Sequence, residues 1–133
     1  MTSEHEPEIC VLEEADIVAA RRAAREIAVK LGFNITDVTR IVTATSALAR
    51  NIFLHAGSGV VKLNTLRVGN RSGLELRFED NGPGIADLDK VTTTDYTNGG
   101  GLPGVKRLMD EMEVQSEIGK GTTVMVKKWL ERR

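Results

Sequence analysis

The chain is short of the residues on which several common chemistries depend. It has a single cysteine, Cys10, so no internal disulfide can form, and its two histidines, His5 and His55, make no Cys/His cluster of zinc spacing. A reducing compartment is the expectation. Apolar residues never run to membrane-spanning length, and the acidic start Met1-Thr2-Ser3-Glu4-His5-Glu6 lacks the apolar stretch of a signal peptide, so the sequence reads as cytoplasmic with no membrane association. An excess of one charge is missing too. Eighteen basic against nineteen acidic residues give a net charge of -1, which leaves no electrostatic footprint for nucleic acid or an anionic membrane. Nucleotides and proteins are the partners left.

What is present suffices for a core. At 133 residues and 41% apolar content the chain fits one domain spanning 1–133, with no room for a second catalytic domain. Residues 8–13 are a short apolar run suited to a buried strand. Asp16 is placed to cap the helix that follows, in which Ile17, Ala20, Ala24, Ile27 and Leu31 recur at spacings of three, four, three and four until Gly32 ends it. Thr36 and Asp37 open a second helix, whose apolar face of Val38, Ile41, Val42, Thr45, Leu48 and Ile52 runs to about His55 before Gly57-Ser58-Gly59 stops it. Residues 60–68 and 74–78 alternate apolar and polar around a turn at 69–73, as a hairpin with one wet face does. Residues 83–101 hold glycine, threonine and aspartate with little periodicity, and a loop of that length in a small domain is usually functional. It reads as a nucleotide lid. A third helix over 102–112 and closing strands at 113–115 and 122–129 complete the chain. These elements predict an α/β (α+β) fold: a two-layer sandwich, three principal helices on one face of a mixed, mainly antiparallel sheet.

The most informative stretch is Glu79-Asp80-Asn81-Gly82-Pro83-Gly84-Ile85. A carboxylate at a strand end can accept a hydrogen bond from an adenine amino group, while Gly82 and Gly84 let backbone approach the ring. Asp-x-Gly-x-Gly is also an ordinary turn. Around it stand three further elements: Asn51 on the second helix, the glycine-rich run Asn98-Gly99-Gly100-Gly101-Leu102-Pro103-Gly104 opening the third helix, and Gly119-Lys120-Gly121-Thr122 before the last strand. Free N–H groups at a helix start favour phosphate, although a glycine-rich cap also serves sterically. Lys106, in that helix's first turn, is more often a solvated charge than a ligand. Ala47 and Asn51, four apart, share a helical stripe with Arg40, Thr43 and His55 that would face the nucleotide.

In that order the four elements resemble the N, G1, G2 and final Gly-Thr boxes of the GHKL (Bergerat-fold) ATP-binding superfamily. The resemblance implies ATP and Mg2+ as cofactors. It implies that Asn51 coordinates magnesium, that Asp80, Gly82, Gly84, Ile85 and Thr122 form the adenine pocket, and that Gly99, Gly100, Gly101, Leu102 and Gly104 surround the phosphates. Ile17-Val18-Ala19-Ala20-Arg21, Ala49-Arg50-Asn51-Ile52, residues 101–111 and Lys128-Trp129-Leu130 narrow it: over nearly its whole length the chain is similar to the RsbT group of serine/threonine kinases. Members of that group are stressosome switch kinases that phosphorylate STAS-domain scaffold proteins and activate a PP2C-type phosphatase by binding it.

Two departures concern catalysis. The group's Ser-Glu-Leu-Ala-Arg-Asn reads here Ser46-Ala47-Leu48-Ala49-Arg50-Asn51, so the glutamate that the resemblance makes the general base is an alanine. A positioned base contributes typically ~10²–10⁴-fold in rate. The lid is also a few residues shorter than the group's. The leading expectation is therefore a slowed ATP-dependent serine/threonine kinase. A nucleotide-binding interaction module without phosphotransfer and an anti-sigma factor kinase are the alternatives. A sensor histidine kinase is disfavoured, because neither histidine lies in a dimerisation helix.

Overall fold

The computed structural model describes residues 8–82 and 102–130. Its elements are β1 (Glu8–Val11), α1 (Ala15–Leu31), α2 (Ile35–Asn51), a π-helical turn (Ile52–Ala56), β2 (Gly59–Val68), β3 (Arg71–Asp80), α3 (Leu102–Leu108), β4 (Glu111–Glu117) and β5 (Gly121–Trp129). The strands form one sheet in the order β1-β2-β3-β5-β4, and every neighbouring pair is antiparallel.

The period of two along each strand decides how the layers stack. Val61 and Leu63 stand opposite Phe78 and Leu76, which stand opposite Val124 and Val126, so six buried side chains tile one face. Onto that face the helices lay Ile17, Ala20, Ala24 and Ala28 of α1, Val38, Ile41, Ala44 and Leu48 of α2, and Leu102 and Val105 of α3. Each large aliphatic side chain so buried contributes about 1.5–3 kcal/mol. The other face is wet. Lys62 and Arg77 reach Glu79 at 3.2 and 3.8 Å, and Asn64 donates to Glu75 at 3.1 Å. This is the two-layer sandwich expected from the sequence.

Boundaries differ from the sequence reading where side chains do unexpected work. Asp16 lies inside the first turn of α1, and its Oδ2 accepts the Leu12 and Glu13 N–H groups at 2.8 and 3.0 Å; these bonds, Leu12 first, hold its carboxyl below the ordinary carboxylate range. The cap of α2 is Asn34, whose Oδ1 accepts the Asp37 N–H at 2.8 Å, and not Thr36 or Asp37. At its far end α2 stops at Asn51, where the chain widens into the π-turn closed by Gly57 N–H donating to Ile52 O at 2.9 Å.

The hairpin turn is only Gly69-Asn70, with Gly69 at φ +62, because Arg71, Ser72 and Gly73 pair with Val68, Arg67 and Leu66. Gly73 belongs in the strand for a steric reason: a Cβ there would lie 2.7 Å from the Trp129 ring. The third helix ends at Leu108 and not Met112. Lys128 Nζ caps the Leu108 carbonyl at 3.0 Å and Asp110 N–H donates to Lys127 O at 2.9 Å, so the chain enters β4, where Met112 pairs with Val126.

Phe78, 2% exposed, joins the strand face to the helices. Phe78→Ala is expected to lose about 3–5 kcal/mol, which lowers the thermal midpoint by roughly 10–20 °C. Melting followed by circular dichroism checks this, and a midpoint within a degree or two of the parent would contradict it.

Candidate functional site

Alternation separates two neighbouring acids at the end of β3. Glu79 points to the wet face with Lys62 and Arg77, and Asp80 points to the helix face. There Asp80 Oδ1 accepts two backbone N–H groups, from Gly82 at 2.9 Å and from Thr122 at 3.2 Å. Oδ2 accepts no hydrogen bond among the described residues. One oxygen thus fixes the carboxylate, and the other keeps its acceptor capacity among the described residues, which suits an amino group of a ligand.

Three glycines let backbone close around this carboxylate. Gly121 holds φ +122, and a Cβ there would overlap the Asp80 carbonyl and come within 2.8 Å of the Asn81 Cα. A Cβ at Gly82 would lie 2.7 Å from that of Ala56, and one at Gly59 the same distance from Ile52 Cγ2. The π-turn therefore seats Ile52 on Gly59 and Ala56 on Gly82. Because Asn51 immediately precedes it, the turn carries the end of α2 to the end of β3. A π-turn of this kind frequently marks a functional site.

Asn51 is half-buried, and its amide makes no hydrogen bond among the described residues. Ala47, one turn earlier, is half-buried with its methyl against the core. No cluster of three His, Cys, Asp or Glu suited to a metal occurs among the described residues. A magnesium ion held by Asn51 would take its other ligands from phosphate and water, as Mg2+ commonly does.

Thr122 pairs with Asp80 across the sheet, and Ser116 pairs with Thr122. The Ser116 and Thr122 hydroxyls are 2.8 Å apart, and Ser116 Oγ also donates to Gly121 O at 3.1 Å. Ser116 was missed in the sequence. Pairing the strands around Gly119-Lys120 would have brought it opposite Thr122.

The phosphate side is described in part. Leu102 buries its side chain in the core, so only its backbone can serve a ligand. Among the described residues, the nearest atom to where a Gly104 Cβ would be is Arg107 Nη2 at 4.0 Å. Lys106 is exposed. Gly84, Ile85, Gly99, Gly100, Gly101 and the rest of the expected lid lie outside the described residues. Of the stripe Arg40-Thr43-Ala47-Asn51-His55, Arg40 does not join the site. It stands eleven residues before Asn51, about 16 Å along the helix axis, and pairs with Asp37 at 3.1 Å. The glycine cradle, with an Asp80 oxygen and an Asn51 amide that make no hydrogen bond among the described residues, fits a magnesium nucleotide.

Residues 36–132 match the family described as histidine kinase-, DNA gyrase B-, and HSP90-like ATPase. The chain belongs to this family. It is 46% identical over 124 residues to the serine/threonine-protein kinase RsbT of Bacillus subtilis (strain 168), covering 90% of this chain and 93% of that one. To the anti-sigma F factor of Caldanaerobacter subterraneus subsp. tengcongensis it is 31% identical, with 85% of each chain covered. A solved structure of the RsbU and RsbW domains of Rv1364c from Mycobacterium tuberculosis superposes with a TM-score of 0.62 at 19% identity. That alignment spans 96% of this chain but 33% of the other and speaks for the fold alone. No helix among the described residues is long and apolar enough to cross a membrane.

Gly121→Ala is expected to destabilise the fold by about 2 kcal/mol or more, since it adds backbone strain to a contact with the Asp80 carbonyl. Urea unfolding measures it. An unchanged midpoint would mean that β3 and β5 do not approach as closely as described.

Proposed function

We propose that this single domain is an ATP-dependent serine/threonine protein kinase of the RsbT switch type, acting in the cytoplasm. It phosphorylates a STAS-domain scaffold and activates a PP2C-type phosphatase by binding it. The observation that carries the reading is the Asp80 carboxylate, with one oxygen anchored by two N–H groups and the other without a hydrogen bond among the described residues, in a chain 46% identical to an RsbT kinase.

ATP supplies the γ-phosphoryl group for transfer to a serine or threonine hydroxyl. In this reading Asp80 Oδ2 accepts the adenine amino N–H, and Thr122, oriented by Ser116, borders the ring. Asn51 gives its amide oxygen to magnesium. Gly104, in the first turn of α3, lies on the side assigned to the phosphates. A base at position 47 would take the hydroxyl proton, and the Ala47 methyl cannot.

That last point supports a second reading, in which the domain binds nucleotide, scaffold and phosphatase without appreciable transfer. A third, an anti-sigma factor kinase, draws on the 31% identity to an anti-sigma F factor. Co-purification separates it from the others, since a sigma factor and a STAS scaffold are different captures.

Two measurements test the proposal. Asp80→Asn is expected to weaken MgATP binding by about 1.5–3 kcal/mol, the contribution of a hydrogen bond to a charged group. Calorimetry with an unchanged Kd would remove adenine from this carboxylate. Ala47→Glu is expected to raise phosphotransfer to a STAS protein by ~10²-fold, about 2.7 kcal/mol of barrier. In a radiolabelled-ATP assay, rapid and equal transfer by both proteins would mean that another residue is the base, and no transfer by either with partner binding intact would favour the interaction module.

A further inference from the structure

The end of the domain away from Asp80 carries a second pocket, of about 640 Å³, between the first turn of α2, the start of β3 and the end of β5. Arg71 and Asp80 are the first and last residues of the ten-residue strand β3, roughly 30 Å apart at the rise of an extended chain. A nucleotide at Asp80 cannot reach this far.

The charges lining the pocket fall into two groups. Lys128, with its side chain 8% exposed, places Nζ 3.5 Å from Asp110 Oδ1 and 3.7 Å from Asp37 Oδ1 while donating to Leu108 O. Asp110 Oδ2 accepts the Trp129 backbone N–H at 2.8 Å, and Asp37 Oδ1 also accepts from Arg40 Nη1 at 3.1 Å. Both carboxylates are therefore engaged within the protein. Arg71 is not. Its guanidinium lies over the Trp129 ring at 4.7 Å from the centroid, the indole is held by its own N–H donating to Glu111 at 2.7 Å, and Arg71 meets no carboxylate among the described residues. Among the described lining residues three cations stand against two carboxylates, and the donors in reserve belong to Arg40 and Arg71.

We propose that this pocket is an anion-recognition site, taking a carboxylate or phosphate group between Arg40 and Arg71. A guanidinium presents five N–H donors in a fixed fork that matches both groups. Stacking on Trp129 holds one of the two forks in place before a ligand arrives, which reduces the ordering cost of binding. The same chemistry is offered by an acidic side chain of a bound protein and by a free phosphate. The proposal stands apart from the nucleotide reading.

Trp129 is the only tryptophan, so its emission reports on the pocket directly. The full chain is titrated with inorganic phosphate and, separately, with a peptide of consecutive glutamates, and calorimetry supplies affinities where a substitution itself changes the emission. A saturable response to at least one probe is expected, weaker by about tenfold or more in Arg40→Gln and in Arg71→Gln, each removing hydrogen bonds to a charged group. Both arginines are largely exposed, so thermal midpoints should stay within a few degrees of the parent. Saturation by phosphate marks a phosphate-bearing ligand, and saturation by the peptide alone marks an acidic protein surface. No saturable response to either probe, or one that survives undiminished in both variants, overturns the proposal.

Discussion

The candidate nucleotide site depends on the closeness of β3 to β5 at their shared end. Only glycine at 121 lets the last strand start against the Asp80 carbonyl, and that contact brings the Thr122 N–H onto the Asp80 carboxylate. A carboxylate with one oxygen fixed by two N–H groups has lost most of its rotamer entropy before a ligand binds, so little remains to be lost on binding. Ser116 and the π-turn extend the same arrangement, one by orienting the Thr122 hydroxyl, the other by seating Asn51's end of α2 on two glycines.

Much of this was legible in the sequence because periodicity is a strong signal. The three-four spacing of α1 and α2 and the alternation in β2 and β3 come from burial on one face, and burial is what a two-layer sandwich demands. Asp80 and Asn51 were singled out by the order of the four boxes, since Asp-x-Gly-x-Gly alone is also an ordinary turn. The misses have a common cause. Gly73 looks like a turn residue, yet it is a strand residue that leaves room for Trp129. Met112 continues the helical period of α3, but Lys128, twenty residues beyond Leu108, ends that helix. Ser116 faces Thr122 only once the register is known. Each depends on a partner distant in the chain, which local pattern cannot carry.

Lys128 shows how one buried cation organises the end of the domain away from the nucleotide site. An unpaired ammonium at that depth would be costly, so it is met by a helix carbonyl and two carboxylates from different elements. A cation at the end of α3 also favours the helix dipole, which is negative there. Asp37 is shared between Lys128 and Arg40, so one carboxylate serves two cations at this end of the domain.

The alanine at position 47 bears unequally on the two halves of the proposed function. Transition states for phosphoryl transfer are loose in most analyses, with little proton movement needed before the bond to the leaving group is largely broken, so positioning and charge neutralisation dominate over the base. The groups assigned to positioning, Asn51, Asp80 and Thr122, are all present, whereas the missing carboxylate bears on proton removal alone. In the proposed kinase the alanine would slow the chemical step, while every residue assigned to positioning the nucleotide is retained.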